Sequence, residues 1–137
     1  MTAERYRAIG LDHVSLPVRD LARAAAFYDR VLAPLELGCR KERPGAVGFG
    51  PASLPAPVLW LLERRSRGSA ESGLGLHVSF RADTRAQVEA FHAAALAAGG
   101  RDAGAPGERP EYTAPFYGAF AFDLDGFKIE AVCRTEP

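Results

Sequence analysis

The chain has 137 residues, with 47% hydrophobic and 25% charged residues, which suits one domain or two small halves sharing a core and excludes disorder, collagen and coiled coil. Lys+Arg and Asp+Glu are both 17, so the basic excess of a nucleic-acid binder is missing. No apolar run is long enough to span a bilayer, and Met1-Thr2-Ala3-Glu4-Arg5 lacks a signal-peptide core, so the expectation is a cytoplasmic protein.

The first predicted element is a strand around His13, where Leu11, His13 and Ser15 alternate with Val14 and Leu16. Asp20 is a natural N-cap for a helix over Leu21–Ala33, with Leu21, Ala25, Tyr28 and Leu32 on one stripe and Pro34 ending it. Strands are expected at Leu35–Glu42, Ala46–Gly50 and Val58–Arg64, with a Pro-rich loop over Pro51–Pro57. Residues Arg65–Leu74 are rich in Ser, Gly and charge and read as a linker. The Arg65–Arg67 patch inside it, flanked by Glu63 and Glu71, reads as a solvated loop.

The pattern then starts again. HVSLPVRDLARAAAFY at 13–28 and HVSFRADTRAQVEAFH at 77–92 share six of sixteen residues at an offset of 64. Asp83 or Thr84 caps a second helix over Arg85–Ala98, with Val88, Phe91, Ala95 and Leu96 as its stripe and Gly99-Gly100 as its stop. A short strand at Arg101–Gly104, a long loop over Ala105–Pro115, a strand at Phe116–Asp123, a turn at 124–126 and a strand at Phe127–Cys133 follow. The expected fold class is α+β: two β-α-β-β-β modules, residues 9–64 and 75–134, in one domain spanning 9–134. Each helix covers one face of its own sheet, and the twin sheet is the expected cover for the other face.

His13 and His77 occupy equivalent strand positions. Phe127, Ile129, Ala131 and Cys133 form the apolar face of the last strand, so Lys128 and Glu130 point the other way. Two imidazoles and one carboxylate make a facial set for a divalent metal with positions left for substrate. Lys128 and Arg81, on the same strand faces, put positive charge within reach of an anionic substrate. Taken singly, each histidine also reads as a satisfied sheet residue and Glu130 as a solvated edge charge; the repeat relation favours the metal set. His92 matches Tyr28 and is expected on the helix surface or in packing. Cys39 and Cys133 have no Cys-x-x-Cys partner and are expected as free thiols. Phosphate-loop, His-Glu-x-x-His and nucleophile-elbow motifs are absent from the sequence.

The paired modules, the opening LDHVSLPVRDLARAAAFYDRVLAPL and the ending FYGAFAFDLDGFKIEAV resemble the vicinal oxygen chelate superfamily. Its members include glyoxalase I, bleomycin-resistance proteins, extradiol dioxygenases and fosfomycin-modifying enzymes. The resemblance implies metal ligands at His13, His77 and Glu130, a divalent cofactor (Fe, Zn, Mn or Ni), a small oxygen-rich substrate and a homodimer. It leaves Tyr117 and Tyr112 as hydrogen-bond donors or proton carriers to that substrate. A glyoxalase-type fourth ligand is missing: the position matching Glu130 in the first module falls at or near Trp60, and Glu63 is a weak substitute. Two functions follow as expectations. One is a metal-dependent lyase, dioxygenase or transferase. The other is a drug-sequestering protein that binds in an aromatic groove without a metal.

Overall fold

The computed structural model describes residues 10–64 and 76–136. The N-terminal residues 1–9 and the linker with its arginine patch lie outside the described residues.

The elements follow the expected order twice. Module one runs β1 (Val14–Val18), α1 (Leu21–Leu32), a 3-10 turn (Ala33–Leu35), β2 (Leu37–Arg43), β3 (Ala46–Pro51) and β4 (Leu59–Glu63). Module two runs β5 (His77–Ala82), α2 (Arg85–Ala97), β6 (Arg101–Glu108), β7 (Tyr117–Phe122) and β8 (Lys128–Cys133). Each module builds one four-stranded sheet, ordered β1-β4-β3-β2 and β5-β8-β7-β6, so the duplication read from the sequence is a duplication of topology.

Local chemistry sets the helix starts. Asp20 accepts from the backbone N–H of Arg23 at the head of α1. Thr84, rather than Asp83, caps α2: its hydroxyl accepts from Gln87 N–H, and the Gln87 side chain returns to the Thr84 backbone as a reciprocal box. The buried stripe of α1 is Ala24, Phe27, Tyr28, Val31 and Leu32, rotated from the predicted one because the bulky Phe27 and Val31 occupy the core while Leu21 and Ala25 stay at its edge. On α2 the core takes Val88, Phe91, His92 and Ala95, whereas Leu96 stays 41% exposed.

The strand at 101 runs four residues further than expected, to Glu108. Ala105-Pro106-Gly107 reads as loop in sequence. The segment nevertheless pairs with β7 through two register shifts, because β6 is the edge of its sheet and an edge strand tolerates proline and bulges.

The expectation that the twin sheets cover each other is not met within one chain. The modules meet through their helices: α1 and the 3-10 turn pack on α2, inside one continuous apolar core. Two polar ties reinforce the join. The Tyr28 hydroxyl of module one donates to Asp123 of module two, and Arg19 binds Asp125 through its backbone N–H and its Nε at 3.0 and 3.1 Å. The helix-free face of each sheet is left outward, with Ser15, Leu62, His77, Ser79 and Arg81 exposed upon them. Cys39 is exposed and Cys133 buried, and both are free thiols.

Candidate functional site

The alternation in β8 works as the sequence suggests. Ile129, Ala131 and Cys133 are fully buried on the helix side, so Glu130 turns to the helix-free face. It is nevertheless only 3% exposed. Phe120 stands directly opposite it on β7, and Phe116 folds over Gly118 beside it. A Cβ at Gly118 would stand 2.8 Å from Phe116 and 3.4 Å from Glu130 Oε2, so the glycine makes room for both. Glu130 Oε1 lies 3.3 Å from His77 Nε2, and Oε2 is buried with no hydrogen-bond partner. A carboxylate oxygen stripped of water and left without a donor is costly unless a cation or donor completes it. The His77 side chain is 42% exposed, and its ring stands edge-on to Phe120.

His13 is elsewhere. It precedes β1, its side chain is 49% exposed, and its Nδ1 lies 2.6 Å from Asp12 Oδ1. Among the described residues, no three His, Cys, Asp or Glu side chains converge closely enough to hold a metal ion. The chain therefore brings His77 and Glu130 together and leaves His13 apart. The physical reason is the join: modules packed helix to helix point β1 and β5 to different outer surfaces.

The two tyrosines separate as well. Tyr117 pairs with Cys133 in register and so lies on the helix side, where its hydroxyl donates to Glu89 at 2.8 Å and its ring carries the Arg85 guanidinium at 4.7 Å. The hydrogen bond to Glu89, helped by partial burial, raises its pKa. The sheet stands between Tyr117 and Glu130. Tyr112, 49% exposed, packs its ring 5.0 Å from Phe116 and so belongs to the Glu130 side. His92 is in packing, one of the two expected places: it is buried, with Nε2 2.9 Å from Asp102 Oδ1. Strand register confirms the non-ligand in module one, since Ser15 faces Trp60 where Ser79 faces Glu130.

Sequence reasoning placed Lys128 and Arg81 on this face but missed the arginines that join them over its aromatic rings. Lys128 Nζ lies 4.6 Å and the Arg109 guanidinium 5.9 Å from the centre of the Phe120 ring. Arg101 stands over Phe122 and Arg134 over Phe116. Arg109 falls in what looked like a loop; the available signal was the Gly104-x-x-Gly107 spacing before it, which opens a seat on the strand.

Residues 10–131 match the sequence profile of the Glyoxalase/Bleomycin resistance protein/Dioxygenase superfamily. A glyoxalase/bleomycin resistance protein from Albidiferax ferrireducens T118 superposes with a TM-score of 0.81 and 31% identity, over 90% of this chain and 98% of that one. A glyoxalase/bleomycin resistance protein/dioxygenase family enzyme from Burkholderia phytofirmans PsJN shares the fold with a TM-score of 0.70 and 19% identity, over 93% of this chain and all of that one. A glyoxalase I mutant from Zea mays shares it too, with a TM-score of 0.68 and 24% identity, over 89% of this chain but 46% of that longer one. No curated protein matches the chain in sequence.

Proposed function

The chain belongs to the Glyoxalase/Bleomycin resistance protein/Dioxygenase superfamily, and from that premise we propose that it is a divalent-metal-dependent enzyme acting on a small oxygen-rich substrate. The observation that carries the proposal is Glu130, a nearly fully buried carboxylate with one oxygen beside His77 Nε2 and the other without a donor. An imidazole nitrogen and a carboxylate oxygen suit Fe, Zn, Mn or Ni alike, so the donor set fits a divalent metal without choosing one.

His77 and Glu130 would hold the metal from one chain, and His13 of a second copy would complete the set. A homodimer is the arrangement that accommodates the separation of His13, because the helix-free faces are outward and unopposed within a chain. The metal, when bound, supplies Lewis-acid stabilisation to two neighbouring substrate oxygens.

The chain's own residues do the rest. Glu130 contributes the anionic ligand, held rigid by its strand and by Phe120 and Phe116. Those two rings exclude water from the carboxylate, which strengthens every charge interaction there. Tyr112, at the exposed rim of Phe116, is placed to donate a hydrogen bond to substrate. Tyr117 hydrogen-bonds Glu89 on the far side of the sheet and supports the α2 packing instead.

Elemental analysis of gently purified protein, then titration of apo protein with Zn, Mn, Ni and anaerobic Fe(II), tests the site. Tight binding that is lost in Glu130→Ala and in His77→Ala is the expected result. Equal affinity in wild type and Glu130→Ala refutes it. Sedimentation at micromolar concentration should give twice the 14.7 kDa chain mass.

One observation favours a second reading, drug sequestration. The helix-free face of module one carries Trp60, half-buried, and Leu62, 41% exposed, and such a face can line an aromatic groove without any metal. Ligand binding of equal strength in metal-free and metal-loaded protein, with no turnover, would select it.

A further inference from the structure

The helix-free face of module two combines one buried carboxylate with an excess of positive charge. Arg81, Arg109 and Lys128 have no ion pair with a described carboxylate, although the chain as a whole is neutral. Cations segregated on one surface raise the local concentration of anions and steer them in. Two of the three are also positioned. Lys128 and Arg109 both stand over the ring of Phe120, at 4.6 and 5.9 Å from its centre. The Phe120 ring is itself the neighbour of Glu130 in register.

The Arg109 guanidinium is held. Nη2 donates to the Ala105 carbonyl at 2.7 Å. It rests over the two glycines of β6: a Cβ at Gly107 would stand 3.0 Å from Nη1, and one at Gly104 would stand 3.4 Å from Nη2. Side chains at these positions would crowd it off the sheet. Gly104 also has φ of +156°, a conformation that L side chains rarely adopt. A guanidinium with one N–H spent on a carbonyl keeps further donors, in a planar fork that matches a carboxylate or phosphoryl group. Lys128 adds a mobile point charge. It lies two residues from Glu130 on the same strand face, about 7 Å along the strand.

We propose that Arg109 and Lys128 form an oxyanion grip beside Glu130 and His77, so that the substrate is a small oxygen-rich acid bearing a carboxylate or phosphoryl group about that distance from the oxygens it presents to the site. The proposal rests on the functional reading above for the place of the chelating oxygens. The grip itself rests on the seat of Arg109 and the shared platform of Phe120. It predicts discrimination against neutral diols and catechols of the same size.

Calorimetric titration of the full-length protein, with and without Zn(II), tests it with three probes: L-malate for a carboxylate, 2-phosphoglycolate for a phosphoryl group, and neutral catechol. At least one anion should bind more tightly than catechol, weaken as NaCl is raised, and lose tenfold or more in affinity in both Arg109→Gln and Lys128→Gln. Which anion binds better identifies the group. Arg109→Lys should recover part of the loss, and Arg23→Gln, at an exposed position of α1 in the other module, should bind as wild type. Zn(II) affinity should change less than about threefold in the grip variants, because neither residue is a ligand or hydrogen-bonds His77 or Glu130 as an outer-shell partner would. Catechol binding as tightly as both anions, or grip variants that are folded by circular dichroism yet bind as wild type, overturns the proposal. Unchanged Zn(II) affinity in Glu130→Ala, with anion affinity still lost in Arg109→Gln, overturns the metal reading and leaves the grip standing.

Discussion

The two modules share strand order, register and helix placement, yet their outward faces carry different chemistry. Ser15 faces Trp60 on β4, and Ser79 faces Glu130 on β8, at the same point of the same topology. In module one the face around that point is partly exposed and centred on Trp60, under the Arg43 guanidinium at 5.3 Å, with Leu62 beyond it. In module two it holds a buried carboxylate, an imidazole and several arginines. The comparison teaches that a duplicated scaffold fixes where a side chain points and leaves open what it does there. The helix positions Tyr28 and His92 repeat the lesson. Both are buried and both bond a carboxylate, but Tyr28 reaches across to Asp123 and stitches the modules, whereas His92 bonds Asp102 within its own module.

The sharpest way to break this comparison is at the paired positions. Glu130→Ala should weaken divalent-metal affinity on the order of 100-fold or more, since it removes the one anionic ligand and even outer-shell losses cost 10–100-fold. Trp60→Ala should leave metal affinity within about twofold and cost about 1–2 kcal/mol of stability for a half-buried ring. Isothermal titration and thermal melts measure both, and similar metal affinities in the two variants would erase the distinction between the faces.

The next effect is at the stitch. Tyr28→Phe removes the donor to a carboxylate buried between modules and should cost about 1–3 kcal/mol in chemical denaturation. His92→Ala removes a bond inside one module and should not alter the metal titration. A Tyr28→Phe variant as stable as wild type would show that apolar packing of α1 on α2 alone joins the halves.

A smaller effect is expected at Tyr117. Tyr117→Phe loses a bond to the exposed Glu89 and should cost below about 1 kcal/mol. Metal and anion binding should be unchanged, because the sheet separates the phenol from Glu130. A drop in anion affinity would return Tyr117 to the site.

The smallest effect is a difference in pH response between the two carboxylates bonded from the helices. The bond from His92 and the backbone N–H of Gly104 lower the Asp102 pKa. Its contribution is therefore present above the ordinary carboxylate range and lost as pH falls through the lowered folded value. Burial raises the Asp123 pKa, against the opposing bonds from Tyr28 and the backbone. Its contribution is present at low pH and lost as pH rises through the raised folded value. Melting curves across acid pH should show wild type losing its advantage over Asp102→Asn on acidification and gaining on Asp123→Asn. Parallel curves for the two variants would contradict the opposite signs.

The residues by themselves determined the two modules, their element order, the capping of α1 by Asp20 and the outward aim of Glu130. These depend on local periodicity and capping, which a chain cannot satisfy in many ways. The His-Val-Ser repeat likewise placed His77 at the head of β5 and His13 immediately before β1. Tertiary structure decided how the sheets face one another. The two helices, with Phe27, Val31 and Phe91 buried in one core that both sheets share, meet between the modules, and that packing turns the helix-free faces outward and parts His13 from His77. It also decided the side on which Tyr117 lies, since strand parity follows from a start point that an irregular loop conceals. The seat of Arg109 depends on the bulged edge strand β6, where pairing with β7 overrides the loop-like composition of Ala105-Pro106-Gly107.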